Sequence, residues 1–162
     1  MSARSTVTIY TDGACRGNPG PGGYGVILIS GAARKEISAG YRWTNNNRME
    51  LWALIAALQA LKKPCDAQIY SDSQYVLGAF KKKWIGKWKA NGWQTTARQP
   101  VQNKDLWVQL DGLLERHHPT FHWVKGHAAN PLNNRCDELA TAAARGTSLA
   151  TDECYETLNP KK

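Results

Sequence analysis

Long apolar runs are absent from the sequence, and no stretch approaches the roughly 20 apolar residues that a membrane-spanning helix requires. Residues 1–6 contain no hydrophobic segment of the kind that directs secretion. No repeat and no linker-like segment divides the 162 residues, and this length predicts one domain. We therefore expect a cytoplasmic protein without a membrane partner, and a monomer, because no segment stands out as an interface.

Closely spaced cysteine pairs are also absent. The four cysteines are far apart in the sequence and form no CxxC motif, which argues against a zinc site: Cys15, Cys65, Cys136 and Cys154. Disulfides are rare in a reducing cytosol, so we expect four free thiols. No serine or cysteine stands beside a base in a pattern typical of a covalent nucleophile.

Acidic residues are fewer than basic ones, with 13 Asp and Glu against 21 Lys and Arg, which gives a net charge of +8. Positive charge favours polyanions, and the lack of a basic amphipathic anchor favours nucleic acid over anionic lipid. A merely soluble basic protein is the alternative. The charge is concentrated in residues 81–89, where Trp84 and Trp88 alternate with Lys81, Lys82, Lys83, Lys87 and Lys89.

Two periodicities run through the chain. Alternating β-branched and apolar residues predict strands at 6–12, 24–29, 37–43, 67–72 and 120–125. Glycines and prolines predict a loop over 13–25. Helical spacing of apolar residues predicts helices at about 47–61, at 73–91 with Gly86 as a break, at 103–116 and at 135–144. The order βββαβααβα predicts an α/β fold with one mixed sheet and helices on its faces, followed by a loosely ordered tail at 147–162.

Four acidic residues stand at the ends of these predicted elements. Asp12 precedes a glycine, which is a common turn, and Asp72 precedes a helix, where it could be an N-cap. Glu50 and Asp137 lie in first turns of helices, where the helix dipole favours a negative charge. Taken singly, each residue is explained by local structure.

Their combination points to a metal site. If the helix after the third strand is a crossover, the first and fourth strands are parallel neighbours, and Asp12 and Asp72 emerge at the carboxyl edge of the sheet. Glu50, at the start of the crossover helix, can reach the same edge. Converging carboxylates repel one another unless a cation joins them. Oxygen ligands favour Mg²⁺ or Mn²⁺ over Zn²⁺, and two such ions can promote phosphodiester hydrolysis.

Five sequence motifs occur in the order and at the spacing of a known family, and they span about residues 5 to 146. They are Tyr10–Gly20, Asn46–Leu51, Tyr70–Val76, Trp123–Ala128 and Asn134–Ala140. With these motifs, the sequence resembles bacterial ribonuclease HI, the type 1 ribonuclease H. The resemblance implies a ribonuclease H-like fold, a five-stranded mixed sheet flanked by helices on both faces, with residues 1–146 as the catalytic domain.

The resemblance also implies an activity and a catalytic site. The expected enzyme is an endonuclease that hydrolyses the RNA strand of RNA–DNA hybrids and leaves a 5′-phosphate and a 3′-hydroxyl. Two Mg²⁺ ions, for which Mn²⁺ is a plausible substitute, would be held by Asp12, Glu50, Asp72 and Asp137, with Asp12 between them. His127 would assist proton transfer or product departure, and its ordinary pKa suits that role near neutral pH.

Contacts with the hybrid are implied by further matched positions. Asn18, Asn46 and Gln74 would face the minor groove, where the 2′-hydroxyl distinguishes RNA from DNA. Thr44, Asn45 and Arg48 would contact a phosphate, although Asn45 replaces the small hydroxyl residue that the family pattern predicts.

Residues 81–93 resemble the family's basic protrusion, in which lysines follow the DNA phosphates and Trp84 or Trp88 packs on deoxyribose. The alternative is an amphipathic helix with buried tryptophans and solvated lysines.

Two other functions fit part of this pattern. A DNA nuclease or integrase-like enzyme of the same fold would place carboxylates on the same sheet, although the asparagine-rich and Lys-Trp segments argue against it. A non-catalytic hybrid-binding module would be marked by the loss of an acidic ligand, and all four acidic residues are present.

Overall fold

A computed structural model describes residues 5–124 and 130–160 of the protein. The described residues form five strands and six helices: β1 (Ser5–Cys15), β2 (Gly20–Ser30), β3 (Ala33–Thr44), α1 (Asn46–Gln59), β4 (Cys65–Ser71), α2 (Gln74–Lys81), α3 (Trp84–Ala90), α4 (Lys104–Leu114), β5 (His118–Trp123), α5 (Pro131–Ala144) and α6 (Glu153–Leu158). Within these ranges, none of the helices combines the length and apolar character that crossing a membrane requires.

The strands form one mixed sheet in the order β3-β2-β1-β4-β5. β1, β2 and β3 are an antiparallel meander, whereas β4 runs parallel to both β1 and β5. The crossover through α1 therefore makes β1 and β4 parallel neighbours, as predicted. Both strands end at the same edge of the sheet.

Alternation along β1 distributes the core over both faces of the sheet. Val7 and Ile9 pack in one apolar cluster with the buried residues of α1, whereas Tyr10 joins a second cluster with Cys136 of α5. Side chains of successive strand residues point to opposite faces, so each face is covered by helix. The predicted fold class is confirmed.

The glycine-rich region differs from its prediction as a loop, because β2 begins at Gly20. A side chain at Gly23 would place its Cβ 2.4 Å from the carbonyl oxygen of Ala140, and one at Gly25 would approach the carbonyl oxygen of Cys136 to 2.3 Å. These glycines are strand residues that let α5 pack directly on the backbone of the sheet. Glycine in a strand often marks such a close approach.

The break between α2 and α3 also differs from the prediction. Gly86 lies inside α3, and the chain turns at Lys82 and Lys83 instead. Lys83 has a left-handed backbone with a φ of 58°, which ends the helical hydrogen-bond ladder.

The expectation of a loosely ordered tail is corrected by the structure. Residues 147–160 pack against β3, where Ala150 forms a parallel bridge with Tyr41, and continue into α6. The carboxylate of Asp152 is buried beneath them and accepts a hydrogen bond of 2.7 Å from Thr44 Oγ1. The local sequence pattern did not predict this packing, because Asp152 contacts residues about 100 positions earlier in the chain. The division of the chain at residue 146 stays a prediction.

Candidate active site

Three acidic residues from separate elements meet at the carboxyl edge of β1 and β4. Asp12 lies in β1, Glu50 in the first turns of α1, and Asp72 directly after β4. One carboxylate oxygen from each residue lies within 4.8 Å of the others. The sheet topology brings these side chains together, as the sequence predicted.

Asp137 reaches the same place from the opposite face of the sheet. With the other three carboxylates it lines a cavity of about 330 Å³. The remaining lining residues are polar or small: Gly13, Asn46, Asn47, Ser73, Gln74 and Tyr75. All four predicted acidic residues therefore share one cavity.

The electrostatics of this cavity are unfavourable for the protein alone. Asp12 is 3% exposed and Glu50 is 5% exposed. Burial, followed by the negative charges of Asp72 and Asp137, raises the pKa of Asp12 to about 8. The pKa of Glu50 is raised well above its ordinary value by burial and then by the charges of Asp12 and Asp72.

Hydrogen bonding compensates this charge only in part. The backbone N–H of Gly13 donates to Asp12 Oδ1 at 2.9 Å. Within the part of the chain that the structure describes, no hydrogen-bond donor reaches Asp12 Oδ2 or Glu50 Oε2, although both atoms are buried. Buried carboxylates without compensation are costly.

A hard divalent cation fits this set of donors. The ligand atoms are carboxylate oxygens, which Mg²⁺ and Mn²⁺ prefer, and the two unpartnered oxygens belong to residues of the cluster. A cation at this position would neutralise the mutual repulsion that raises the pKa of Asp12 and Glu50.

His127, the predicted proton-transfer residue, lies in 125–129, outside the described residues.

The residues predicted to face the minor groove surround the mouth of the cavity. Asn46 and Gln74 line it. Asn18 is exposed in the turn between β1 and β2, and its Oδ1 accepts a hydrogen bond of 2.8 Å from the backbone N–H of Asn46. Asn45 caps α1 by accepting a hydrogen bond of 2.9 Å from the backbone N–H of Arg48.

The prediction that Thr44 and Arg48 contact a phosphate is corrected. Thr44 is 0% exposed and Arg48 is 2% exposed. Thr44 donates to Asp152, and the guanidinium of Arg48 is held between Asp105 and Asp152 at 2.7–2.8 Å. Both donors are directed into the protein because α4 and the C-terminal tail supply carboxylates that local sequence patterns do not indicate.

The basic segment, residues 81–93, has features of both a nucleic-acid-binding protrusion and an amphipathic helix. Its lysines are exposed, whereas Trp84 and Trp88 are half-buried and pack against the main core. Lys87, both tryptophans and Asn91 still line an open cavity of about 610 Å³. Lys89 differs from the others, since its Nζ lies 2.9 Å from Asp111 and 3.0 Å from Glu115.

Lys81, Lys82 and Lys83 differ from Lys89, because none of the three has an ion-pair partner among the residues that the structure describes.

Sequence reasoning missed Asn47, Ser73 and Tyr75 as cavity residues. Tyr75 is held in place because its hydroxyl accepts hydrogen bonds from Trp107 Nε1 at 2.9 Å and from Asn103 Nδ2 at 3.1 Å. Each of the three lies within three residues of a predicted carboxylate. That proximity was the available indication of their position.

Comparisons with known proteins agree with this geometry. The family model for RNase H matches residues 4–145. A ribonuclease H of Desulforamulus reducens is 55% identical over 146 residues, which cover 90% of this chain and 92% of the relative. A ribonuclease H of Aeromonas hydrophila is 51% identical over 150 residues, which cover 93% of this chain and 97% of the relative.

Solved structures show the same architecture. LC9-RNase H1, described as a type 1 RNase H with the type 2 active-site motif, superposes with a TM-score of 0.80 at 26% identity and covers 99% of this chain and 83% of its own. LC11-RNase H1 in complex with an RNA/DNA hybrid superposes with a TM-score of 0.66 at 25% identity, over 86% of this chain and 96% of its own. The match to the family model, the level of identity and the shared fold together show that this chain belongs to the ribonuclease H family, in its type 1 branch.

Proposed function

We propose that the protein is a Mg²⁺-dependent endonuclease that hydrolyses the RNA strand of RNA–DNA hybrids and leaves a 5′-phosphate and a 3′-hydroxyl. The observation that carries this proposal is the convergence of Asp12, Glu50 and Asp72 within 4.8 Å of one another, in a cavity that Asp137 also lines. The fold alone would not justify an activity, whereas buried carboxylate oxygens without hydrogen-bond donors among the described residues form a site that a divalent cation would stabilise.

Each carboxylate has a role that follows from its position. Asp12 is central, because it is buried and the charges of both Asp72 and Asp137 act on its carboxyl group, which together raise its pKa. The four carboxylates would hold two Mg²⁺ ions, or Mn²⁺ in their place, with Asp12 between the two. When bound, such ions supply an activated water and neutralise charge that develops on a phosphodiester. His127 would transfer a proton or assist product departure.

Selection of the hybrid would depend on the polar side chains at the mouth of the cavity. Asn18, Asn46 and Gln74 offer amide groups that both donate and accept hydrogen bonds, as reading a 2′-hydroxyl requires. The exposed lysines Lys83 and Lys87 would follow the phosphates of the DNA strand, and the accessible edges of Trp84 and Trp88 would pack on its sugars. The hybrid seen with LC11-RNase H1 supports this substrate class.

A cleavage assay on three duplexes tests the proposal. RNA–DNA, DNA–DNA and RNA–RNA duplexes of one sequence are each incubated with the protein, with and without Mg²⁺, and the product ends are identified. We expect cleavage of the RNA strand of the hybrid alone, and only with the metal. Cleavage of the DNA duplex would instead indicate the DNA nuclease of the same fold. Binding without cleavage would indicate the non-catalytic module.

We further propose that the protein acts as a monomer in the cytoplasm. Sedimentation of the protein with and without hybrid tests whether it is a monomer.

A further inference from the structure

A second cavity lies beside the carboxylate cavity and has a different chemical character. It measures about 600 Å³ and is lined by apolar side chains of α2 and β5, chiefly Leu77, Phe80, Phe121 and Trp123, with Lys81 and Lys82 at its rim. We call it the α2–β5 groove. The proposed catalytic mechanism makes no use of it.

Trp123 gives the groove an exposed aromatic face. It is 55% exposed at the end of β5, whereas Phe121, two residues earlier on the same face of the strand, is half-buried and stacks on Phe80 with ring centroids 4.1 Å apart. The floor of the groove is therefore a packed aromatic pair, and the indole beside it is left open to solvent. An exposed large aromatic ring beside an apolar floor is typical of a binding surface.

The charge at the rim selects an anionic ligand. Lys81 and Lys82 are exposed, and within the described ranges neither has a carboxylate partner. Lys82 Nζ lies 5.1 Å from the centroid of the Trp84 ring, a cation–π contact that leaves its charge in place. An aromatic face beside unpaired lysines matches a nucleotide, whose base stacks and whose phosphate pairs with an ammonium group.

The groove is continuous with the candidate active site. Gln74 lines both cavities, because it begins α2 directly after Asp72 and Ser73. Between Gln74 and Lys81, α2 spans 8 residues, or ~12 Å at 1.5 Å per residue. An unpaired strand that leaves the carboxylate cavity covers this distance with about four nucleotides or fewer, since each nucleotide of a helical strand spans ~3.4 Å.

We propose that the α2–β5 groove binds an unpaired extension of the RNA strand that crosses the carboxylate cavity, with a base stacked on Trp123 and phosphates on Lys81 and Lys82. Bases within a duplex are already stacked on their neighbours, so only an unpaired base can present its face to the indole. This inference rests on the proposed function. It adds a preference for hybrids whose RNA strand continues beyond the DNA.

Binding measurements with two substrates test the inference. One is a blunt RNA–DNA hybrid. The other is the same hybrid with an unpaired RNA extension of about four nucleotides, made once at the 5′ end and once at the 3′ end. We expect the extension at one end to lower Kd about fivefold in metal-free buffer, the lower end of the effect of stacking one base. An abasic extension should lose most of that gain.

Variants separate stacking from general binding. Trp123→Ala should remove the gain from the extension and leave the Kd of the blunt hybrid unchanged, whereas Trp123→Phe should retain most of it. Lys81→Gln should reduce the gain and its dependence on salt. Val108→Ala, an exposed apolar residue of α4 that does not line the groove, should retain the full gain.

Failure of the groove inference and failure of the proposed function would give different results. If wild-type protein binds blunt and extended hybrids equally but cleaves both with Mg²⁺, the groove has no such role and the proposed function stands. An extension effect that survives Trp123→Ala would overturn the inference in the same way. If the blunt hybrid is not cleaved at all, the proposed function itself is refuted.

Discussion

Two buried charges in the first turns of α1 have opposite surroundings. Arg48 and Glu50 are separated by one residue and are both almost inaccessible to solvent. Arg48 is satisfied by two carboxylates, those of Asp105 and Asp152, in a fork at 2.7–2.8 Å. Glu50 faces two further carboxylates and has a buried oxygen that no donor reaches among the described residues.

The pKa shifts express the same contrast. Burial favours the neutral form of Asp105, but hydrogen bonds and charge from Arg48 outweigh it and lower the pKa of Asp105. Around Glu50, burial and the neighbouring charges act in the same direction and raise the pKa. A buried charge with complete partners holds elements together, whereas a buried carboxyl group whose pKa is strongly raised in a cavity is a candidate residue of a functional site.

The largest effect should follow from removing one carboxylate of the cluster formed by Asp12, Glu50 and Asp72. Asp72→Asn retains size and polarity but removes a charge, so Mg²⁺-dependent cleavage of the hybrid should fall by about 10³-fold or more, as for groups that act as a unit in catalysis. Hybrid binding should persist. Single-turnover cleavage and fluorescence anisotropy measure the two quantities.

The matched control is Asp66→Asn. Asp66 lies in β4, the strand that Asp72 directly follows, but its side chain is 43% exposed. It should cleave like wild type. Turnover at the wild-type level in Asp72→Asn would remove that residue from the catalytic site.

Breaking the ion pairs of Arg48 with Asp105 and Asp152 should reduce the stability of the fold rather than the activity. Asp152→Ala would leave the guanidinium of Arg48 with one carboxylate and Thr44 Oγ1 without its acceptor, since both contact Asp152. We expect the free energy of unfolding to fall by about 3–5 kcal/mol, the usual loss on removing one partner of a buried ion pair. Urea denaturation measures it.

The surface pair between Arg42 and Glu156 is the control for Asp152→Ala. Arg42 has a side chain 60% exposed, so Arg42→Gln should change stability by only about 0–1 kcal/mol. Equal losses of unfolding free energy in both variants would contradict the prediction that the buried ion pair contributes more to stability than the surface pair.

The pH dependence of stability should reveal the repulsion within the carboxylate cluster of the metal-free protein. The pKa of Asp12 is raised to about 8 in the folded state, so the folded protein binds more protons than the unfolded chain between the ordinary pKa of Asp and pH 8. Stability should therefore fall as pH rises from about 4 to 8.

Relief of this repulsion can be measured in two ways. Asp12→Asn should stabilise the metal-free protein at pH 7 by an amount on the order of 2 kcal/mol, and saturating Mg²⁺ should stabilise wild type but not this variant. Thermal unfolding in chelator and in Mg²⁺ records both effects. A destabilised Asp12→Asn protein would show that the carboxylate contributes to folding rather than opposing it.

The smallest expected effect is on hybrid binding by the lysines of the basic segment. There too, a charge with carboxylate partners can be compared with a charge that has none among the described residues. Lys87 is exposed and has no ion-pair partner in the described part of the chain, whereas Lys89 is paired with Asp111 and Glu115. Lys87→Ala should reduce the slope of log K against log salt for hybrid binding by about 1, the change expected for one lost phosphate contact. Lys89→Ala should leave the slope nearly unchanged. Equal changes in slope would mean that Lys89 exchanges its carboxylates for phosphate.

Local patterns predicted most of the framework and the convergence of Asp12, Glu50 and Asp72. Strand alternation and the crossover through α1 were sufficient to expect Asp12 and Asp72 at one edge, because parallel neighbouring strands end together. They were not sufficient for β2, where Gly23 and Gly25 look like loop residues until the close approach of α5 is known.

Arg48 shows why the remaining contacts could not be predicted. In the sequence it resembles a surface residue near the candidate active-site carboxylates, available to a phosphate. Its partners lie 57 and 104 residues further along the chain, so neither hydrophobic period nor local spacing indicates them. The order of the tail after residue 146 was missed for the same reason, since it depends on Asp152 reaching back to α1.

The sequence by itself determined which residues could carry charge and chemistry and the strand and helix periods, because these depend on neighbours within a few positions. The order of those elements favoured a crossover that ends β1 and β4 at a common edge. Only the tertiary structure decided which buried charges are paired. That outcome depends on side chains from distant segments meeting in three dimensions, and it separates Arg48, a tie between elements, from Glu50, a residue of the candidate active site.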